Sequence, residues 1–243
     1  MARARLRCGL WGNNGKMDDT KQRELFSHGR LEGYKNTQEH EDNLFLISQI
    51  AHKIGILEIV VRNKIDVLLS AEDKDWIRKL PEKLLPCDLE KYNNDELVSR
   101  QTMGFWVKVA CYHKIDDKNF ETDFLDSFDF KKYFPKNKNR FKNTKEFRRY
   151  QKARAILGLL RLIRNRAFHF ENLYKFTENN YPRLNVAIVN DEENKVYIAI
   201  QPDRIKDFLN DLLASFHPDL IGYAEHQGKR QESAHGGGGK RST

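Results

Sequence analysis

Apolar residues recur at spacings of three and four along several stretches of the chain. Over residues 40–69, Leu44, Ile47, Ile50, Ala51, Ile54, Leu57, Val61, Ile65 and Leu68 fall on one helical face. Residues 94–114 repeat the pattern, with Leu97, Phe105, Val109 and Tyr112 as core positions, and a shorter helix is expected over 121–133. Pro135 and the run KNKNRFKN then break the period. Asn143 with Glu146 three residues later is a capping arrangement. It predicts a long helix carrying Phe147, Tyr150, Ala153, Ile156, Leu157, Leu160 and Ile163 and reaching about Tyr174. LNVAIV and KVYIAI flank NDEEN, which predicts a β-hairpin at about 184–200. Helical spacing returns from Asp203 to Phe216, and Pro218 ends it. No internal repeat is visible. The pattern predicts a mainly α bundle with one small hairpin near the C-terminus, not a parallel-sheet enzyme. The folded domain is expected over 40–218. Residues 1–39 are read as a flexible N-terminal extension and 219–243 as a flexible tail containing Gly236 to Gly239.

At 243 residues the chain is long enough for one core. Cys8, Cys87 and Cys111 form no CxxC pair and no disulfide scaffold, and they point to a reducing compartment. No apolar run approaches the roughly 18–20 residues of a membrane span. Residues 1–16 are Arg-rich and acid-free but lack a continuous apolar stretch, so they resemble an organelle presequence more than a secretory signal. Met17 is an alternative start. The expected location is cytoplasmic, with no membrane partner.

The net charge is +8, but residues 1–16 and 224–243 carry six of those charges. Within the body, residues 130–166 hold 14 Lys and Arg against Glu146 alone. Just before them lies an acidic block, Asp116, Asp117, Glu121, Asp123, Asp126 and Asp129. A dipole of this kind can steer a polyanion to one face, or it can be a solvated helix face beside a basic loop.

No P-loop, GxGxxG, HExxH or GxSxG is present. Three Arg-x4-His spacings occur: Arg23/His28, Arg164/His169 and Arg230/His235. Only Arg164/His169, in RNRAFH, lies on a long amphipathic helix inside the basic block. Glu24 beside Arg23 would repel phosphate, and Arg230/His235 lies in the Gly-rich tail. On a helix Asn165 and His169 share a face, and Arg164 projects about 100° round from Asn165.

RNRAFH, together with LEIVVRNKID (Glu58 and Arg62 one turn apart), GFWVKVACYHKI and KVYIAIQPDRIKDFLNDLLASF, resembles the Abi-like (abortive infection) branch of the HEPN superfamily over about residues 40–216. The resemblance implies a HEPN-type helical bundle acting as a homodimer, with two Arg/His sets meeting in a composite site. It implies a metal-independent endoribonuclease of antiphage or toxin systems. Some members of that family instead bind RNA or partners without cleaving, so a non-catalytic RNA-binding module, or an antitoxin or regulatory subunit with a protein or regulatory RNA partner, is the alternative.

Metal-free RNA cleavage needs a base for the 2′-OH, an acid for the 5′-oxygen and positive charge at the phosphorane. Histidine suits the proton steps and arginine the charge. The candidate catalytic residues are therefore Arg164, Asn165 and His169, with Glu58 and Arg62 supporting. Each has a plainer role open to it: a helix-end histidine, a surface arginine, a helix-terminal hydrogen bonder, and an i,i+4 Glu58–Arg62 ion pair. Under the family reading Glu58 braces Arg164 or closes the dimer. Lys136, Lys138, Arg140, Lys142, Arg161 and Arg166 are candidates for holding RNA, with Phe134 and Phe141 interleaved for stacking. His52 and His113 lie in apolar helices without ligand-type neighbours, so no metal or other cofactor is expected.

Overall fold

The computed structural model describes residues 17–142 and 145–225. It is mainly helical with one two-stranded antiparallel sheet near the C-terminus. Two short helices, α1 (Asp19–Phe26) and α2 (His28–Leu31), precede the longest, α3 (Thr37–Ser70). Then follow α4 (Asn94–Ser99), α5 (Met103–Tyr112), α6 (Thr122–Ser127) and α7 (Arg149–Phe168). Strands β1 (Asn185–Val189) and β2 (Lys195–Ala199) lead to α8 (Ile205–Phe216) and α9 (Asp219–Glu225).

The core lies where α3 packs on α5, α7 and α8. Ile50, Ile54, Leu57, Val61 and Ile65 of α3 are fully buried, as are Leu157 and Ile163 of α7 and Phe208 and Leu212 of α8. Such burial is worth roughly 1.5–3 kcal/mol per large apolar side chain. By length and composition α3 is apolar enough to cross a membrane, contrary to the reading of the apolar runs. Its apolar residues supply one wall of this core. The hairpin pairs Asn185 with Ala199 through Val189 with Lys195 and lies on α7. Gly158 permits the approach, because a Cβ there would stand 3.3 Å from the Val186 side chain.

Several boundaries differ from the sequence pattern, each for a local reason. The 94–114 helix is broken, since Thr102 accepts a hydrogen bond from the Phe105 N–H and starts α5 afresh. The 121–133 helix shortens to α6 followed by a 3-10 turn at Phe130–Lys132. Asn143 lies outside the described residues. The long helix begins instead at Arg149, where the Gln151 side chain accepts from the Arg148 N–H at 2.9 Å. Glu146 pairs with Arg140 in an isolated antiparallel bridge rather than capping a helix. At its far end α7 stops at Phe168, six residues before the expected limit. Phe170 takes a left-handed conformation (φ 53°), the Phe170 N–H donates to the Ala167 carbonyl and the Glu171 N–H to the Arg166 carbonyl. This is a Schellman closure with an aromatic residue where glycine is usual.

The described fold also reaches beyond the expected 40–218 at both ends. Asp18 caps α1 by accepting from the Lys21 N–H, and α2 touches the far end of α7 through Arg30. At the other terminus, α9 docks on α3. Buried Lys53 meets Glu225 at 2.9 Å, and His52 Nδ1 lies 3.0 Å from the Ala224 carbonyl.

Candidate functional site

The RNRAFH segment occupies the last turn of α7 and its cap, and the helix divides its side chains between two sides. Arg164 and His169 lie about 140° apart around the axis. Arg164 turns toward α3 and α5, where its Nε donates to Glu58 Oε2 at 3.1 Å. The other Glu58 oxygen accepts from the Met103 N–H at 2.9 Å, so one carboxylate ties α3, α5 and α7 together. The Arg164 guanidinium stands 5.3 Å from the Phe168 ring, which is itself exposed. Glu58 thus pairs with Arg164 and not with Arg62, which instead donates to Asn63. Arg161 lies one turn back on α7, with its stem against Gly104 of α5.

On the opposite side, His169 and Arg166 open on a cavity of about 270 Å³. Arg30 of α2 and Lys175 and Arg183 of the loop after α7 complete its charged wall, with Glu171 as the opposing carboxylate. Arg166 donates to Glu171 at 3.0 Å, while its buried Nε has no partner. Burial holds the Arg166 guanidinium below the ordinary arginine value, Glu171 opposes this, and Arg183 adds like-charge repulsion. Arg183 and Lys175 have no carboxylate partner among the described residues. Tyr34 and Phe170 supply rings, and Phe170 is half exposed. Burial raises the Tyr34 phenol, against the pull of Arg30.

The cavity is held from behind by two asparagines. Asn43 of α3, fully buried, donates to the Tyr34 hydroxyl and the Glu171 carbonyl and accepts from the Leu173 N–H at 2.9 Å. Asn172 donates to the Gly33 carbonyl at 2.7 Å and accepts from the Tyr174 N–H. Arg30 closes the wall by donating to the Phe170 carbonyl at 2.9 Å. Asn165 lies on the helix face shared with His169, without a side-chain hydrogen bond among the described residues.

The remaining candidates divide. Lys136, Lys138 and Lys142 meet beside the hairpin in a groove lined also by Tyr181, Lys195 and Tyr197. Phe134 and Phe141 are not available for stacking. Both are buried, Phe134 edge-on to Tyr181 and Phe141 against Phe147. The exposed ring of the groove is Tyr197. Much of the basic block is neutralised within the fold: the acidic block folds back so that Asp126 grips Arg149 bidentately and buried Asp116 pairs with Arg154. Lys132 pairs with Asp211, Lys145 with Glu192, and Arg148 with Asp191. Two acids of the acidic block, Asp116 and Asp126, thus close part of the dipole along the sequence. Lys136, Lys138, Arg140, Lys142 and Arg161 have no carboxylate partner among the described residues.

Of the other Arg-x4-His pairs, Arg23 and His28 are in contact at 3.1 Å, with His28 also bound to Glu32, and Arg230/His235 lies outside the described residues. His113 is half-buried and His52 exposed at the α9 contact. No group of three His, Cys, Asp or Glu residues among the described residues is placed to hold a metal ion. Sequence reasoning missed Arg30, Asn43, Asn172, Lys175 and Arg183. The FENLYK segment directly after the motif was the available signal for Asn172 and Lys175, while Arg30 and Asn43 come from distant elements.

No family model matches the chain, and no curated protein or solved structure matches it at a level that shows kinship.

Proposed function

We propose that the protein is a metal-independent endoribonuclease of HEPN type, in which Arg164 and His169 from two copies of the chain share one RNA phosphate. The observation that carries this reading is the end of α7. It presents an arginine braced from the core helix by Glu58 and, on its other side, a histidine open to a cationic cavity. In the reaction a histidine accepts the 2′-OH proton as that oxygen attacks phosphorus. The bond to the 5′-oxygen breaks, and a second histidine returns a proton to that leaving group. The products are a 2′,3′-cyclic phosphate and a 5′-hydroxyl. Arg164 stabilises the phosphorane charge, and Asn165 orients the histidine or the phosphate. One chain separates Arg164 from His169 around the helix, so a two-fold partner supplies the complementary set. Exposed Phe168 beside Arg164 is an apolar surface such a partner would cover.

The test is cleavage of single-stranded RNA in EDTA by the wild type and by His169→Ala. The wild type is expected to cut and the variant to be inactive. Cleavage undiminished in His169→Ala would end the catalytic assignment, and loss of wild-type cutting in chelator would end the metal-free mechanism.

A second reading, RNA binding without cleavage, is favoured by the engagement of Arg164 with Glu58, which leaves the unpaired cations on the other side. Salt-dependent binding without cutting under any condition would support it. An antiphage or toxin setting is part of the first reading. An antitoxin or regulatory RNA partner would be revealed by co-purification.

A further inference from the structure

The cavity beside His169 and the lysine groove beside the hairpin meet at one short segment. Tyr181 lines the groove and Arg183 lines the cavity. Pro182 and Leu184 are buried, while Tyr181 is half-buried and Arg183 exposed. Two residues of extended chain span only about 7 Å, so both depressions open on the same side of one strand-like segment. A hydrogen bond from the Arg183 N–H to the Lys175 carbonyl and an isolated bridge between Phe176 and Pro182 hold that segment in place. Tyr181 is fixed by donating to the Tyr197 carbonyl at 2.9 Å.

The charges along this path are poorly compensated. The cavity sets four cations, Arg30, Arg166, Lys175 and Arg183, against Glu171 alone. The groove adds Lys136, Lys138, Lys142 and Lys195 with no carboxylate in its lining. A desolvated guanidinium with an unpartnered Nε, repelled by a second arginine, is stabilised by an incoming anion that can accept from both. Rings stand at both ends: Tyr197 in the groove, with the Lys195 ammonium 4.9 Å from its centroid, and exposed Phe170 at the cavity. Cations alternating with accessible rings suit a flexible polyanion whose bases can unstack and lie on aromatic faces.

We infer that the two depressions form one track for single-stranded RNA, with Arg30, Arg166 and Arg183 seating a backbone phosphate beside His169 and the lysine groove holding the adjoining strand over Tyr197. The track rests on the RNA-directed reading above and does not require cleavage.

The experiment is fluorescence anisotropy of a labelled single-stranded oligoribonucleotide with 2′-O-methyl groups, which cannot be cut by 2′-OH attack. Arg183→Gln and Lys138→Gln alter side chains with no hydrogen bond to the rest of the described protein, so the fold should be unchanged. Each is expected to weaken binding about fivefold to tenfold. Each should also lower the slope of log K against log salt by about 0.7. Arg30→Gln should do the same, with a thermal melt to register any loosening of the Phe170 wall. Unchanged affinity and slope in Arg183→Gln would overturn the cavity as a phosphate seat. Weakening by Arg183→Gln but not by Lys138→Gln would overturn the continuous track. Binding of inorganic phosphate without binding of the oligonucleotide would make the cavity a small-anion site and overturn the assignment to RNA. If the losses appear while unmodified RNA stays uncut, the nuclease reading fails and the track stands.

Discussion

The two sides of the α7 terminus carry the same kinds of side chain under opposite electrostatic conditions. On the Glu58 side, Arg164 is about a quarter exposed and meets a carboxylate that also caps α5. On the His169 side, Arg166 is more deeply buried, its Nε has no partner, and the cations around it outnumber the one acid. The first arrangement satisfies itself within the chain. The second leaves a buried donor and several cations without a partner among the described residues. A basic residue in the sequence therefore says little about availability until its partner is known. The 130–166 block makes the same point on a larger scale, because Asp116, Asp126 and Asp211 reach back to neutralise part of it.

The largest expected effect comes from the open side. His169→Ala should lower RNA cleavage about 10³-fold, some 4 kcal/mol in the barrier. The thermal midpoint should stay unchanged, since the side chain is exposed and makes no hydrogen bond among the described residues. A wild-type rate would remove the histidine from the chemistry.

Next is the support behind the cavity. Asn43→Ala strands the buried Leu173 N–H, leaves the part-buried Glu171 carbonyl without its donor, and should cost about 3 kcal/mol in denaturant unfolding. A loss below about 0.5 kcal/mol would mean that Asn43 does not hold the cavity wall.

The two carboxylates sharpen the comparison by opposite signs. Glu58→Gln should slow cleavage about tenfold and cost roughly 1 kcal/mol of stability, as fits a partly exposed pair. Glu171→Gln should instead tighten oligonucleotide binding about threefold, because among the described residues it is the one acid that lines the cavity. Equal effects of the two substitutions would erase the distinction between the sides.

The smallest effect is that of pH. His40 is buried, and its ring contacts Phe26 of α1 and Tyr34 edge-on at 4.9 Å each. Burial, seconded by Arg30 and opposed by Glu41, holds His40 below its ordinary value of 6.5. The unfolded chain then binds the proton more readily than the folded one, so stability is lost as pH falls below about 6.5 and regained above it. Half-buried His113 is lowered in the same direction. The protection factors of amides over 19–34, with the intrinsic pH dependence of exchange divided out, should fall between pH 7 and pH 5.5 more than those of the α3 core. His40→Phe should flatten that difference, and identical pH dependence in the variant would assign it elsewhere.

Helical spacing made the main elements legible, because α3, α7 and α8 bury one continuous stripe each, and strand alternation located the hairpin. The ends were less so. Asp18 caps α1 in the folded chain, but α1 and α2 bury too little apolar surface to register as a pattern. The stop at Phe168 was hidden because the αL position holds Phe170 and no glycine announced it. In the candidate site, the Glu58–Arg164 brace was legible only as one of the roles open to Glu58. The cavity was not legible at all, since α2, α3 and the loop after α7 come together only through folding.

The measurement that bears most directly on Arg164 and His169 acting together is specific activity against protein concentration in EDTA, read beside the mass of the species in solution. Because one helix holds the two side chains apart, activity is expected to fall on dilution to nanomolar protein in step with dissociation of a dimer into monomers. A monomer that cuts RNA with undiminished specific activity would contradict the shared site.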